Sequence, residues 1–412
     1  MQAENNKNNI KTLSFGCRLN ALESEKIKHM LGPIIDAAIV VNTCSVTGEA
    51  ERQSAQSIRR TARENPEIPI FVTGCAATRN PGLFMKINNV FVIPNADKMN
   101  CAAYTNAIRN SDFNFTAHID FGGDQKLSKQ FIQIQNGCNH DCTYCVTRLL
   151  RGTAVSFPYA EILHDAQCAV KNGFHEIILT GVDSASYVRT DNGNPFLLSD
   201  LCTRLLSDVS EIQRLRLSSV DPASPEIPKI IELIHNDARM MGHLHLSMQS
   251  GSDTILAAMR RRHTTAHVRN LMHNAHGITF GWDIICGFPG ETDELFRETC
   301  ELAAETHVIK IHAFPFSPRP GTVAADMPNQ IPHNIAKRRV HEITAIANGN
   351  RNKYMVTQVG KRVSVLVENN NVARTADDIP VRIADKEITP RTICDVTISD
   401  ICNGEFIGHI DA

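Results

Sequence analysis

Six short apolar runs recur between residues 131 and 317: FIQIQ, EIILTG, RLRLSSV, HLHLSMQ, ITFGWDIICGFP and VIKIHAFPFS. Each is followed by a helix-length segment with apolar residues at helical spacing. Strands separated in this way pair in parallel, because a parallel neighbour is reached only through a crossover, and the crossover helix covers the sheet. Six such units predict a partial (β/α)6 barrel. Residues 11 to 93 carry the same alternation in shorter form, with KTLSFG, AAIVVN, IPIFVTG and VFVI separated by amphipathic stretches over Leu22 to Leu31 and Val46 to Arg63. That pattern predicts an open parallel sheet. After Lys353 short strands follow one another closely (RVSVLVENNN, VRIAD, CDVTISD, EFIGHI) without helix-length segments between them, as in a small β-barrel. The expected class is therefore α/β, with domains over 1–110, 130–353 and 354–412. A polar linker over 111–129 contains Gly122, Gly123 and Asp124.

Composition narrows the function. Hydrophobic content of 42% and charged content of 21% exclude a disordered chain. A formal net charge of −2 gives no global basic field, although basic patches fit inside a neutral total. The opening MQAENNKNNIKT has no apolar core of the signal-peptide kind, and no eighteen apolar residues run together. The expectation is a cytoplasmic protein with no membrane association. In that reducing compartment 13 cysteines point to metal or redox chemistry instead of a disulfide framework.

Three of them form Cys138-Asn-His-Asp-Cys142-Thr-Tyr-Cys145, directly after the first strand of the six-unit series. Loops beyond the carboxyl ends of barrel strands hold the active sites of such folds. A structural zinc site closes with four ligands and would need His140 or a distant residue as the fourth; a [4Fe–4S] cluster on three cysteines keeps one iron open to an outside ligand. Spacing and position favour the cluster. Three more cysteines sit just past strand candidates in the N-terminal region: Cys17 after LSFG, Cys44 after VVNT and Cys75 after FVTG. Each alone reads as a small buried residue. Three in phase, at carboxyl ends that line one edge of a parallel sheet, predict a second metal centre.

The C-x3-C-x-aromatic-C run is similar to the signature of the radical S-adenosylmethionine superfamily. GCRLN at 16–20, NTCSVT at 42–47 and VTGC at 72–75 resemble the N-terminal domain of its methylthiotransferases. RLSSVDP at 216–222, SMQSGSD at 247–253, MRRRHT at 259–264, GFPGET at 287–292 and FPFSPRPGT at 314–322 resemble that family's barrel, and the tail resembles its TRAM domain. NTCSVT, VTGC and the short GCRLN look most like the branch that modifies threonylcarbamoyladenosine beside the tRNA anticodon.

The resemblance implies two [4Fe–4S] clusters, one on Cys138, Cys142 and Cys145 that binds S-adenosylmethionine and generates a 5′-deoxyadenosyl radical, and one on Cys17, Cys44 and Cys75 that holds the sulfur to be donated. It places Tyr144 beside the adenine of S-adenosylmethionine. It also implies a tRNA substrate, a flavodoxin- or ferredoxin-like reductant and a monomeric enzyme. Related branches act on isopentenyladenosine in tRNA or on an aspartate of a ribosomal protein; a non-catalytic iron–sulfur RNA-binding protein is disfavoured by the complete cysteine sets. The chain departs from the family at CVTRLLRG, which keeps Arg151 and Gly152 but has Arg148 at the family's proline. It departs also in a tail with six Lys+Arg against nine Asp+Glu from Tyr354 onward.

Gly181, Ser218, Gln249 and Gly287 follow or end barrel strands, where they either contact the cofactor or fasten loops to the rim. His243 and His245 alternate on one strand as rim or core groups. Three basic runs are candidate phosphate contacts: Arg52, Arg59, Arg60 and Arg63; Arg260 to Arg262; and Lys337 to Arg339. Cys101, Cys168, Cys202, Cys286, Cys300, Cys394 and Cys402 read as packing residues.

Overall fold

The computed structural model describes residues 9–109, 128–191, 193–384 and 387–410. The expected linker lies outside these except for its last two residues. The described residues form two compact units, one of 9–109 with 137–140 and 145–153, the other of 128–136 with 141–144 and 154–410.

In the first unit β1 (Ile10–Ser14), β2 (Ala38–Thr43), β3 (Ile70–Gly74) and β4 (Val90–Val92) pair in parallel in that order. Every residue of β2 and β3 is buried, which is why these strands read as apolar runs without alternation. Alternate residues still serve opposite layers. Ile39, Val41, Ile70 and Val72 pack with Ile58 of α2 (Gly48–Glu64), while Val40 and Phe71 pack with Ile27 and Leu31 of α1 (Arg18–Leu31) and Tyr104 of α4 (Cys101–Arg109). Each such side chain stabilises by about 1.5–3 kcal/mol. Helix α2 starts at Thr47, whose hydroxyl accepts from the Ala50 N–H at 3.1 Å. Between α2 and α4 a short α3 (Cys75–Arg79) follows β3 directly.

The second unit holds six parallel strands: β5 (Gln130–Gln133), β6 (Glu176–Thr180), β7 (Arg214–Leu217), β8 (His243–Gln249), β9 (Thr279–Cys286) and β10 (Lys310–Pro315). They form two three-stranded ladders, β7-β6-β5 and β8-β9-β10, bridged among the described residues by the isolated pairs Leu215↔Met240 and Val220↔Leu246. The partial barrel expected from the sequence is present, with its hydrogen-bond ladder interrupted after the four-residue β7. Ile177, Leu179, Leu215, Leu244, Leu246, Trp282, Ile284 and Ile311 belong to one continuous core. The alternate residues, among them His245, Asp283 and His312, lie on the other face of the pleat.

Five antiparallel and parallel strands then close a barrel in the order β11-β12-β13-β15-β14: β11 (Arg362–Val367), β12 (Val372–Thr375), β13 (Pro380–Ile383), β14 (Ile393–Cys402) and β15 (Glu405–Ile410). Its core is Val365, Val367, Ala373, Val381, Val396, Ile398 and Phe406. The acidic character of this tail has an internal use. Asp378, after β12, faces Lys310 Nζ at 2.8 Å and Lys129 Nζ at 3.3 Å at the amino ends of barrel strands. There the buried Glu176 meets Arg216 at 2.9 Å and Arg214 at 3.4 Å, and Arg214 donates to the Arg374 carbonyl at 3.1 Å. Burial alone would raise both carboxyls, but the surrounding cations outweigh it and hold them below their ordinary range.

Candidate active site

In the first unit Cys17 caps the start of α1, Cys44 follows β2 directly and Cys75 opens α3. The three strands therefore deliver all three cysteines to one end of the sheet, as their phase predicts. Two glycines make the approach possible. Gly16 has φ +89°, and a Cβ there would stand 2.4 Å from both Cβ and Sγ of Cys44; Gly74 has φ +95°, and its Cβ would stand 2.3 Å from the Thr43 carbonyl oxygen. Cys44 Sγ accepts from the Val46 N–H at 3.4 Å, and Cys75 Sγ accepts from Asn95 Nδ2 at 3.6 Å. Burial pushes the Cys44 thiol up to about 11, with Cys17 and Cys75 adding to the rise while the Val46 N–H and Arg151 oppose it. The Cys44 side chain packs directly against Gly16, the residue before Cys17, and loading metal on these thiols must displace a proton. A glycine-cleared nest of three soft donors, two of them receiving N–H bonds, fits an iron–sulfur cluster.

Under these cysteines lies a buried charged network. Arg151 donates to Glu23 Oε1 at 2.8 Å and to Asn20 Oδ1 at 2.7 Å; Lys98 Nζ lies 2.6 Å from Glu23 Oε2 and donates to Asn95 Oδ1 at 3.1 Å. The Glu23, Arg151 and Lys98 side chains are 1%, 4% and 4% exposed. Asn20 lies 3.8 Å from Cys17 Sγ and Asn95 contacts Cys75, so the network runs from one cysteine to another with two cations and one carboxylate. Burial would raise the Glu23 carboxyl, yet Arg151 and Lys98 hold it below its ordinary range.

Arg151 ends α5 (Thr147–Arg151), the helix that begins two residues after Cys145. Helix α5 packs on α3, and Asn95 Nδ2 donates to the Leu150 carbonyl at 3.1 Å. The segment carrying Cys145 thus belongs to the same compact unit as Cys17, Cys44 and Cys75. Within the C-x3-C-x2-C run every sulfur has an N–H donor. Cys138 Sγ accepts from the His140 N–H at 3.4 Å, Cys145 Sγ from the Thr147 N–H at 3.4 Å, and Cys142 Sγ from Arg261 Nη1 at 3.5 Å. Arg261 also donates to the Ser247 carbonyl at 2.9 Å and pairs with Asp221 at 3.3 Å. Thr143 is pinned by its N–H to the Met259 carbonyl at 3.2 Å and by its hydroxyl to the Ala258 carbonyl at 2.9 Å. Cysteine sulfurs supplied with N–H donors are the donor set an iron–sulfur cluster takes.

Residues 132–303 match the radical SAM superfamily, and residues 9–93 match the uncharacterized protein family UPF0004. A threonylcarbamoyladenosine tRNA methylthiotransferase, MtaB, of Rickettsia prowazekii (strain Madrid E) is 38% identical, with 92% of each chain covered. The chain belongs to the radical S-adenosylmethionine methylthiotransferases. MtaB of Bacillus subtilis (strain 168) is 33% identical, covering 81% of this chain and 79% of the relative. A tRNA-2-methylthio-N(6)-dimethylallyladenosine synthase of Zymomonas mobilis is 30% identical, covering 86% and 85%. The radical S-adenosylmethionine methyltransferase TsrM from Kitasatospora setae, solved with cobalamin and a [4Fe–4S] cluster, shares the fold with a TM-score of 0.56 at 13% identity over 74% of this chain and 69% of that one.

Elsewhere in this methylthiotransferase, Tyr144 packs in an apolar group with Met259, Ile285, Phe288 and Phe316. Gly181 follows β6 against Gln135, whose Oε1 would lie 3.0 Å from a Cβ at 181. Ser218 follows β7 with its hydroxyl buried and without a hydrogen-bond partner among the described residues, and Gln249 ends β8 with φ +72°. Gly287 differs from these three. Its N–H donates to Glu291 Oε2 at 2.6 Å, and a Cβ there would meet Ala336 at 2.6 Å, so it closes a turn. Two of the basic runs are partly internal. Arg261 is buried beside Cys142, and Arg339 is buried with Glu291 at 2.8 Å and Asp293 at 2.8 Å. Arg52 and Arg60 are exposed and pair with Glu49 and Glu64. Glu23, Lys98 and Asn95 escaped the sequence reading, and Arg261, read there only as part of a phosphate-contacting run, is instead buried against Cys142. No helix among the described residues is long and apolar enough to cross a membrane.

Proposed function

We propose that this enzyme transfers a methylthio group to carbon 2 of N6-threonylcarbamoyladenosine next to the anticodon of tRNA. One [4Fe–4S] cluster would sit on Cys138, Cys142 and Cys145 and a second on Cys17, Cys44 and Cys75. The observation that carries the two-cluster reading is the glycine-cleared convergence of Cys17, Cys44 and Cys75 in the same compact unit as the Cys145 segment. The relatives named for threonylcarbamoyladenosine support the substrate.

When bound, the clusters and S-adenosylmethionine supply reductive radical chemistry and a sulfur source, which an aromatic C–H bond with neither an acidic proton nor a leaving group requires. The chain's own residues hold and orient. Arg261 and the His140 and Thr147 N–H groups direct charge-assisted or backbone hydrogen bonds at the cysteine sulfurs. Tyr144, Gly181, Ser218 and Gln249 would contact S-adenosylmethionine, with the Gly287 turn fixing the loop beyond β9. Arg151 and Lys98 place fixed positive charge below the N-terminal cysteines, offsetting the negative charge of a thiolate-ligated cluster. Residues 1–110 would carry the second cluster, 130–353 the S-adenosylmethionine site and 354–412 a TRAM-like domain. The enzyme would work as a monomer in the cytoplasm with a flavodoxin- or ferredoxin-like reductant.

The test is anaerobic reconstitution followed by mass spectrometry of nucleosides from tRNA bearing threonylcarbamoyladenosine. A 2-methylthio product supports the reading. Modification of isopentenyladenosine tRNA or of a ribosomal protein, with threonylcarbamoyladenosine left intact, overturns the substrate.

A further inference from the structure

Three neighbouring barrel strands place a polar cluster on the pleat face opposite the core. His245 on β8 lies with Nε2 3.1 Å from Asp283 Oδ1 on β9, and His312 on β10 lies with Nδ1 3.6 Å from the same oxygen. The two imidazoles face each other with centroids 4.8 Å apart, and the Ser219 hydroxyl donates to Asp283 Oδ2 at 3.3 Å. The position of His245 is built into the backbone. A Cβ on Gly281 would stand 2.4 Å from His245 Nδ1, so only glycine at 281 leaves the ring its place.

Two features mark this cluster as a receptor and not a fastening. First, it is open: the His312 side chain is 47% exposed, and Phe314, two residues further along the same face of β10, is 44% exposed. An exposed aromatic ring two strand residues from an exposed imidazole suits a planar base with a polar substituent. Second, it lies one step below the cofactor loop on β8 and β9. Two residues beyond His245 is Ser247, which contacts Arg261 and through it Cys142; two residues beyond Asp283 is Ile285, which packs on the same apolar cluster as Tyr144. Two strand residues span about 6.6 Å, which matches the reach from an adenine ring to the far end of an acyl group on its exocyclic nitrogen.

We infer that His312, oriented by Asp283 with His245 behind it, binds the amino-acid part of the N6-acyl group of the target adenosine, while Phe314 stacks on the base. The inference rests on the substrate reading above and gives it a residue-level cause. Asp283 is held well below the usual carboxylate range, because the adjacent His245 and His312 rings outweigh its burial, so it stays an acceptor. The set offers ring N–H donors for a carboxylate and a carboxylate acceptor for a hydroxyl or ureido N–H. A threonylcarbamoyl group carries all of these, and an isopentenyl chain carries none.

The experiment compares reconstituted full-length wild type, His312→Ala, His312→Gln and Phe314→Leu on anticodon stem-loop RNAs bearing threonylcarbamoyladenosine or isopentenyladenosine. It reads KM and kcat for methylthio product together with RNA-free 5′-deoxyadenosine formation, and thermal melting checks folding. The expected result is a KM for the threonylcarbamoyl RNA raised at least tenfold in His312→Ala and less in His312→Gln, with kcat much less affected. Unchanged KM in a folded His312→Ala enzyme overturns the inference, as does a parallel fall of product and RNA-free cleavage in both His312 variants. If wild type itself ignores the threonylcarbamoyl RNA and modifies the isopentenyl RNA, the substrate reading fails instead.

Discussion

Replacing Glu23 by Gln removes the one carboxylate between two buried cations. Arg151 and Lys98 are each only 4% exposed, so neither can recover its lost partner from water without opening the site. Leaving buried charges uncompensated costs about 3–5 kcal/mol, and the amide oxygen can still accept one hydrogen bond, which puts the expected loss near ~3 kcal/mol. That is a large part of a native stability of about 5–15 kcal/mol. At about 1–3 kcal/mol per molar urea it lowers the midpoint by roughly 1–3 M. The measurement is urea unfolding of the cluster-free chain followed by hydrogen exchange at β1 to β4, because a chain of two units need not unfold in one step. Arg52→Ala, which breaks an exposed pair with Glu49, should leave the midpoint in place. A midpoint shift below ~0.3 M in Glu23→Gln would refute the reasoning, since the network would then behave as a surface pair. The pH dependence has a definite sign. A carboxyl held below its ordinary value of 4.5 stabilises fully above that value, and this contribution fades as the pH falls through the depressed folded value.

Gly16→Ala combines φ +89° with a Cβ 2.4 Å from Cys44 Sγ, so iron on the N-terminal cysteines should fall while iron on the Cys138 loop stays; iron per chain and thermal melting report both. Cys142→Ala should abolish reductive S-adenosylmethionine cleavage, measured as 5′-deoxyadenosine, with little change in unfolding midpoint because the loop lies outside the core. Wild-type cleavage in that variant would remove the cluster from the Cys138 loop.

What could be read from the sequence was whatever repeats at a fixed period. The six barrel strands, the four strands of the N-terminal sheet and the phase of Cys17, Cys44 and Cys75 are all consequences of strand-and-crossover spacing, and all are found where that spacing puts them. Helix α1 begins earlier than its apolar stripe, at Arg18, directly after Cys17 in extended conformation. The strand Val372–Thr375 was missed, since VART is short and half polar and its burial comes from closing the small barrel. Long-range polar pairs were invisible for a related reason. Glu23 and Lys98 meet 75 residues apart in sequence, and His245, Asp283 and His312 come from three strands, so no local pattern marks them. The same holds for the tail, part of whose acid excess serves internal pairing, with Asp378 set against Lys310 and Lys129.

The most direct test of a two-cluster enzyme is a single variant, Cys44→Ala, reconstituted anaerobically and given reductant, S-adenosylmethionine and tRNA bearing threonylcarbamoyladenosine. Iron should drop by one cluster per chain, 5′-deoxyadenosine should still form, and mass spectrometry of the digested tRNA should show no methylthio product, because the Cys138 loop is intact while the site that holds the sulfur has lost a ligand. Full iron content together with continued methylthiolation would contradict it and leave Cys17, Cys44 and Cys75 as packing residues.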